Sequence, residues 1–112
     1  SPAGLPAATA VKLAELVNYG DDAIVSRTLA KSKAGTMTVF AFDSGQSLSE
    51  HTAPFDAYVT ALDGEIALTI GGRSVVAQTG ETVLMPANVP HAVDAAGRMK
   101  MLLVLFRDGE AA

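Results

Sequence analysis

The chain has 112 residues, 49% of them hydrophobic, a formal net charge of -4 and no cysteine. That length supports one modest core, and so apolar a composition excludes global disorder. The acidic balance excludes a basic nucleic-acid or membrane-binding face, and the missing cysteines exclude disulfides, thiolate metal sites and cysteine nucleophiles.

Residues 1–10 are rich in Pro, Ala and Gly and are expected to form a flexible arm. The start, Ser1-Pro2-Ala3-Gly4-Leu5-Pro6, lacks the basic and apolar regions of a signal peptide. No run of about 18 apolar residues is present to span a bilayer. The longest candidate, 99–106, is broken by Lys100 and closed by Arg107-Asp108-Gly109. These features lead us to expect a soluble, cytoplasmic protein.

Val11 to Val17 carries both a strand-like and a helix-like apolar pattern, and the Lys, Leu, Ala and Glu content favours a short helix. From Ala23 onward the signals are β. Strands are expected over 23–29 and 36–42, separated by the polar turn Lys31-Ser32-Lys33-Ala34-Gly35. A further strand over 56–62 leads into Asp63-Gly64, read as a hairpin turn into 65–70. Gly71-Gly72 turns into 73–77, and Thr79-Gly80 into 81–85. After the loop Pro86-Ala87-Asn88-Val89-Pro90, strands 91–94 and 98–106 are joined across Ala95-Ala96-Gly97. Eight or nine short strands with regular turn signals specify an all-β, antiparallel sandwich or barrel in one domain, 1–112.

The two histidines, His51 and His91, stand forty residues apart at strand edges. Strand alternation through 51–57 places His51, Ala53, Phe55 and Ala57 on one face, with Val59 and Ala61 continuing it. The small side chains at 53 and 57 leave volume on a barrel's inner face, which makes a cavity. Two prolines stiffen the loop that aims His91, and Met85 is an adaptable apolar lining residue. The candidate ligand pocket is therefore His51, Ala53, Phe55, Ala57, Met85 and His91. No Gly-rich phosphate loop, Ser–His–Asp set or paired carboxylates assign catalytic residues.

The spacing of these residues resembles the cupin family, small jelly-roll β-barrels. Gly45, five residues and His51 match the start of its first motif, and Gly64 matches its closing glycine. Gly80, Pro86 and His91 match the second motif, with Asn88 in place of a glycine. The resemblance implies an antiparallel jelly-roll β-barrel with a core over 36–106. It also implies a metal site of three His and one Glu, but Ala53 and Ala57 stand where one His and the Glu belong. Ala95 replaces a frequent Asn. Only His51 and His91 remain as ligands for a divalent metal (Zn, Ni, Fe or Mn), so a metal is expected to bind weakly or not at all. Asp56 lies one residue from the Glu position and points to the other face of a regular strand.

The leading expectation is thus a small-molecule-binding member with an incomplete metal site. The alternative is a divalent-metal-dependent enzyme, an isomerase, a sugar-acid-metabolism type or a dioxygenase. A partner-binding module is a third reading. The family resemblance, the arm and the abundant apolar surface also imply a homodimer.

Overall fold

The computed structural model describes residues 4–107. The first three residues of the expected arm and the last five of the expected domain lie outside the described residues. Nine strands form two sheets: β1 (Ile24–Lys31), β2 (Gly35–Phe42), β3 (Ser47–His51), β4 (Ala57–Asp63), β5 (Ile66–Ile70), β6 (Arg73–Ala77), β7 (Thr82–Met85), β8 (His91–Asp94) and β9 (Met99–Phe106). A five-stranded sheet runs β1-β2-β9-β4-β7 and a four-stranded sheet runs β3-β8-β5-β6. Every pairing is antiparallel. This is an all-β jelly-roll arrangement whose two sheets face each other without closing into a continuous barrel.

The connections differ from the sequence expectation in an instructive way. Gly71-Gly72 does close a hairpin, since Ile70 pairs with Arg73 and both glycines have positive φ, 58° and 78°. Those dihedrals suit the right-handed twist of a two-residue turn. Asp63-Gly64 closes no hairpin: β4 belongs to the five-stranded sheet and β5 to the four-stranded one. The chain there crosses between sheets, as it also does between β6 and β7 and between β8 and β9. Repeated crossing brings His51 and His91 together, although they lie far apart in sequence. β1, expected over 23–29, pairs along most of β2.

The facing sheets bury Phe42, Ile66, Leu68, Met99 and Met101 almost completely. Each such side chain contributes roughly 1.5–3 kcal/mol by leaving water. A second cluster, Val17, Leu29, Val39 and Ala41, lies on the outer face of the five-stranded sheet. Leu13, Leu16 and Tyr19 cover it. The stretch expected as a short helix is only a 3-10 turn, Leu13–Glu15. It has no side-chain cap, and its apolar residues are held by the sheet beneath them. The arm is anchored as well, with the Gly4 carbonyl accepting from Arg27 Nη2 at 3.3 Å.

Tyr19 fastens this segment. Its hydroxyl donates to Asp63 Oδ2 at 2.6 Å, and the Arg98 and Lys100 cations lie 5.1 and 5.0 Å from its ring. Burial, followed by the Asp63 hydrogen bond and charge, pushes the phenol well above its usual pKa. At the end of β2, the Asp43 carboxylate accepts from the Asp22 N–H, Arg98 Nε and the Ser44 N–H. These bonds hold its pKa below the ordinary value. Among the described residues no helix is long and apolar enough to cross a membrane.

Candidate functional site

His51 ends β3 and His91 begins β8, and the two are direct cross-strand partners. Between Leu48↔Val93 and His51↔His91 the register shifts, with three steps along β3 matching two along β8. A regular strand would send Leu48 and His51 to opposite faces, three residues being an odd step. The bulge absorbs the extra residue and turns both inward, so both line the cavity between the sheets. His91 and Val93 reach the same cavity by ordinary alternation.

The rings lie 4.3 Å apart between centroids at an interplanar angle of 69°. Each Nδ1 contacts a backbone carbonyl two residues back, His51 with Ser49 at 3.0 Å and His91 with Val89 at 3.1 Å. A carbonyl oxygen only accepts, so each Nδ1 must carry the hydrogen and donate it. A neutral imidazole protonated at Nδ1 has its lone pair on Nε2. The two Nε2 atoms face each other at 3.1 Å. Two acceptors thus converge on one point. His91 is 5% exposed while His51 is exposed, so the pair stands between the interior and solvent.

Behind the pair lies a cavity of about 180 Å³. Leu48 and Val93 line it from the four-stranded sheet. Ala57, Met85, Met101, Leu103 and Leu105 line it from the five-stranded sheet, and Ala53 from the connection between β3 and β4. Phe55, expected on this face, is not among the lining residues. The reason is local: 52–56 is not a strand, so alternation cannot be carried from 51 through to 57. His51 and Ala57 belong to different sheets. Leu48, Val93, Leu103 and Leu105 were not singled out in the sequence, because β9 is apolar on both faces and β3 has a single aliphatic residue.

The rim is built by two loops tied together. Asn88 has φ 64°, the left-handed conformation expected where it replaces a glycine. Its N–H donates to the Ala53 carbonyl at 2.8 Å, and the Ala87 N–H donates to Asp56 Oδ1 at 2.8 Å. Asp56 is therefore occupied in holding the loop that precedes His91.

Does this donor set fit a metal? Two nitrogens 3.1 Å apart, each about 2.1 Å from an ion, would subtend an angle of about 95° there, as two adjacent ligands can. The count fails, however. Among the described residues no group of three or more His, Cys, Asp or Glu is placed to hold an ion. Ala53 and Ala57 supply only methyl groups to the space where further donors would stand. The residues do not fit a resident metal centre with three or four protein ligands.

A family model described as "Cupin domain" matches residues 38–105. Solved structures are similar over most of the chain. A conserved protein of unknown function from Streptococcus pyogenes is 36% identical with a TM-score of 0.88, covering 96% of this chain and 93% of that one. A cupin superfamily protein from Desulfitobacterium hafniense is 29% identical with a TM-score of 0.87, covering 93% and 95%. A Cupin 2 conserved barrel domain protein from Leptotrichia buccalis is 42% identical with a TM-score of 0.80; the match covers 83% of this chain but only 45% of that one. No curated protein matches the chain significantly.

Proposed function

The chain belongs to the cupin domain family, and from that premise we propose that it binds a small molecule in the cavity between its sheets. One observation carries the reading: two imidazole nitrogens converge at 3.1 Å on the edge of an otherwise aliphatic cavity. A concave apolar space with a few convergent polar groups is the usual form of a ligand site. The stiff loop before His91 and the bulge before His51 fix both rings in advance, which lowers the ordering cost of binding. The absence of cysteine suits a cytoplasmic setting.

A thermal-shift screen of small molecules tests this. A ligand at 100 times its Kd is expected to add about 2.7 kcal/mol of stability. The gain should shrink in His51→Ala, a substitution at an exposed position that leaves the core intact. No stabilising compound in a broad screen, or equal stabilisation of wild type and His51→Ala by every compound found, would refute the proposal.

The second reading, a divalent-metal-dependent enzyme, has the Nε2–Nε2 spacing in its favour. It requires water or substrate to supply the remaining donors, since the chain does not.

The proposed partner is a second copy of the chain. On the outer face of the five-stranded sheet, residues 13–19 cover one part and leave Tyr58, Leu84 and Phe106 exposed, with Val104 half-buried beside them. Tyr58, Leu84 and Phe106 are 36%, 43% and 46% exposed, and Tyr58 stacks edge-on against Phe106. Thr60 and Thr82 complete the patch, and its register partners carry no charge. An uncharged patch meets its own copy across a two-fold axis without repulsion. Leu84→Glu with Phe106→Glu is expected to give a monomer by light scattering at a concentration where wild type is a dimer. A monomeric wild type at tens of micromolar would rule out this interface.

A further inference from the structure

We infer that the ligand is a compact, mostly apolar molecule with a single hydroxyl head, of the phenol or small-alcohol kind, and that sugars and sugar acids are rejected. This rests on the reading of the cavity as a ligand site and adds the chemical class.

Size comes first. At about 180 Å³ the cavity is smaller than the roughly 300–1,000 Å³ sites that hold drug-sized molecules. It suits a body the size of one substituted ring or a short branched chain.

Polarity narrows the class further. Apart from the two imidazoles, every side chain lining the cavity is Ala, Val, Leu or Met. The backbone of the facing strands is already committed to the sheet ladders. A sugar acid would bring several hydroxyls and a carboxylate into this lining. Each group left without a partner gives up its hydrogen bonds to water and weakens binding. An aliphatic body loses nothing by entering.

The head group follows from the tautomers. Because Ser49 and Val89 carbonyls hold both Nδ1 hydrogens, each neutral ring offers only a lone pair at Nε2. Two lone pairs facing at 3.1 Å repel, and a hydrogen donated from beside the pair offsets that repulsion. A hydroxyl supplies it. A carboxylate has only acceptors and adds a third repulsive group. An ammonium head would carry a charge out of water into an aliphatic cavity that offers it no opposite charge.

The test uses the full chain after chelator treatment, labelled so that NMR reads the ring signals of His51 and His91. Three probes are titrated: p-cresol, its methyl ether 4-methylanisole, and galacturonate. The expected result is that p-cresol moves both sets of ring signals and binds at least about tenfold tighter than the ether, a difference of about 1.4 kcal/mol. Galacturonate should leave them unmoved at millimolar concentration. In His51→Ala the preference for p-cresol over the ether should shrink several-fold while the ring body still binds. Equal binding of p-cresol and the ether, binding of p-cresol only after zinc is added, or an unchanged preference in His51→Ala overturns the hydroxyl head. Binding of galacturonate overturns the inference while leaving the cavity a ligand site. Failure of all three probes to move any ring signal overturns the inference and counts against the cavity as a ligand site.

Discussion

Gly64→Ala is expected to destabilise the protein by about 3 kcal/mol, although residue 64 lies at a crossing between sheets and touches no proposed ligand. Gly64 has φ 70°, a region where a side chain costs roughly 1–2 kcal/mol. A Cβ there would also sit 2.5 Å from the Arg98 carbonyl oxygen, which belongs to the backbone leading into β9 and cannot swing aside. Relieving such a clash costs roughly a further 1–3 kcal/mol. For a domain of this size the sum corresponds to a fall in Tm on the order of 10 °C. Gly72→Ala is the control. Its φ of 78° is similar, yet nothing lies within 4 Å of the added methyl, so only the dihedral cost of about 1–2 kcal/mol remains. Equal Tm losses in the two variants would show that the crossing at Gly64 is not packed as tightly as described.

Ala53→His combined with Ala57→Glu is expected to convert the pocket into a metal site. Both alanines line the cavity with His51 and His91, so longer side chains there enter the same space. The double variant would present three imidazoles and one carboxylate, enough for a tetrahedral set. Calorimetry should give a Kd for zinc at or below about 1 µM, equivalent to about -8.2 kcal/mol, against weak or undetectable binding by wild type. Without metal the introduced carboxylate is buried near position 57, which is 5% exposed in wild type. The metal-free double variant should therefore be less stable than wild type and regain stability when zinc is added. Filling the cavity should also abolish small-molecule stabilisation. A double variant that binds no zinc would mean that the side chains at 53 and 57 do not converge with the histidines.

Much of this architecture was legible in the residues. The alternation of β4, the β-branched run of β2 and the positive-φ glycines of the β5–β6 turn all carry local signals that tertiary structure did not override. Asn88 adopting φ 64° follows from side-chain chemistry alone. Other features had no local signature. Asp63-Gly64 has the composition of a hairpin turn, and only the pairing of β4 with β9 and β7 reveals a crossing. β3 carries no strand signature of its own, since its residues are mostly exposed and polar and Leu48 is its single aliphatic residue. The bulge that aims His51 inward is set by pairing with β8, so no periodicity in β3 could disclose it. The convergence of the two Nε2 atoms, and the tautomers forced by Ser49 and Val89, depend on three-dimensional contacts. Ala53 and Ala57 are legible both as missing donors and as space for a cavity, whereas the aliphatic side chains that close it, Leu48, Val93, Leu103 and Leu105, come together only in the fold.

The central claim is that His51 and His91 form the polar edge of a ligand cavity and not the remnant of a working metal centre. The most direct test is elemental analysis of wild-type protein grown in metal-replete medium and purified without chelator or nickel resin. The account predicts less than about a tenth of an equivalent of any divalent transition metal, and no rise in Tm when Mn, Fe, Ni or Zn is added at concentrations comparable to the protein's. One equivalent of metal, retained through purification and lost in both His51→Ala and His91→Ala, would contradict it.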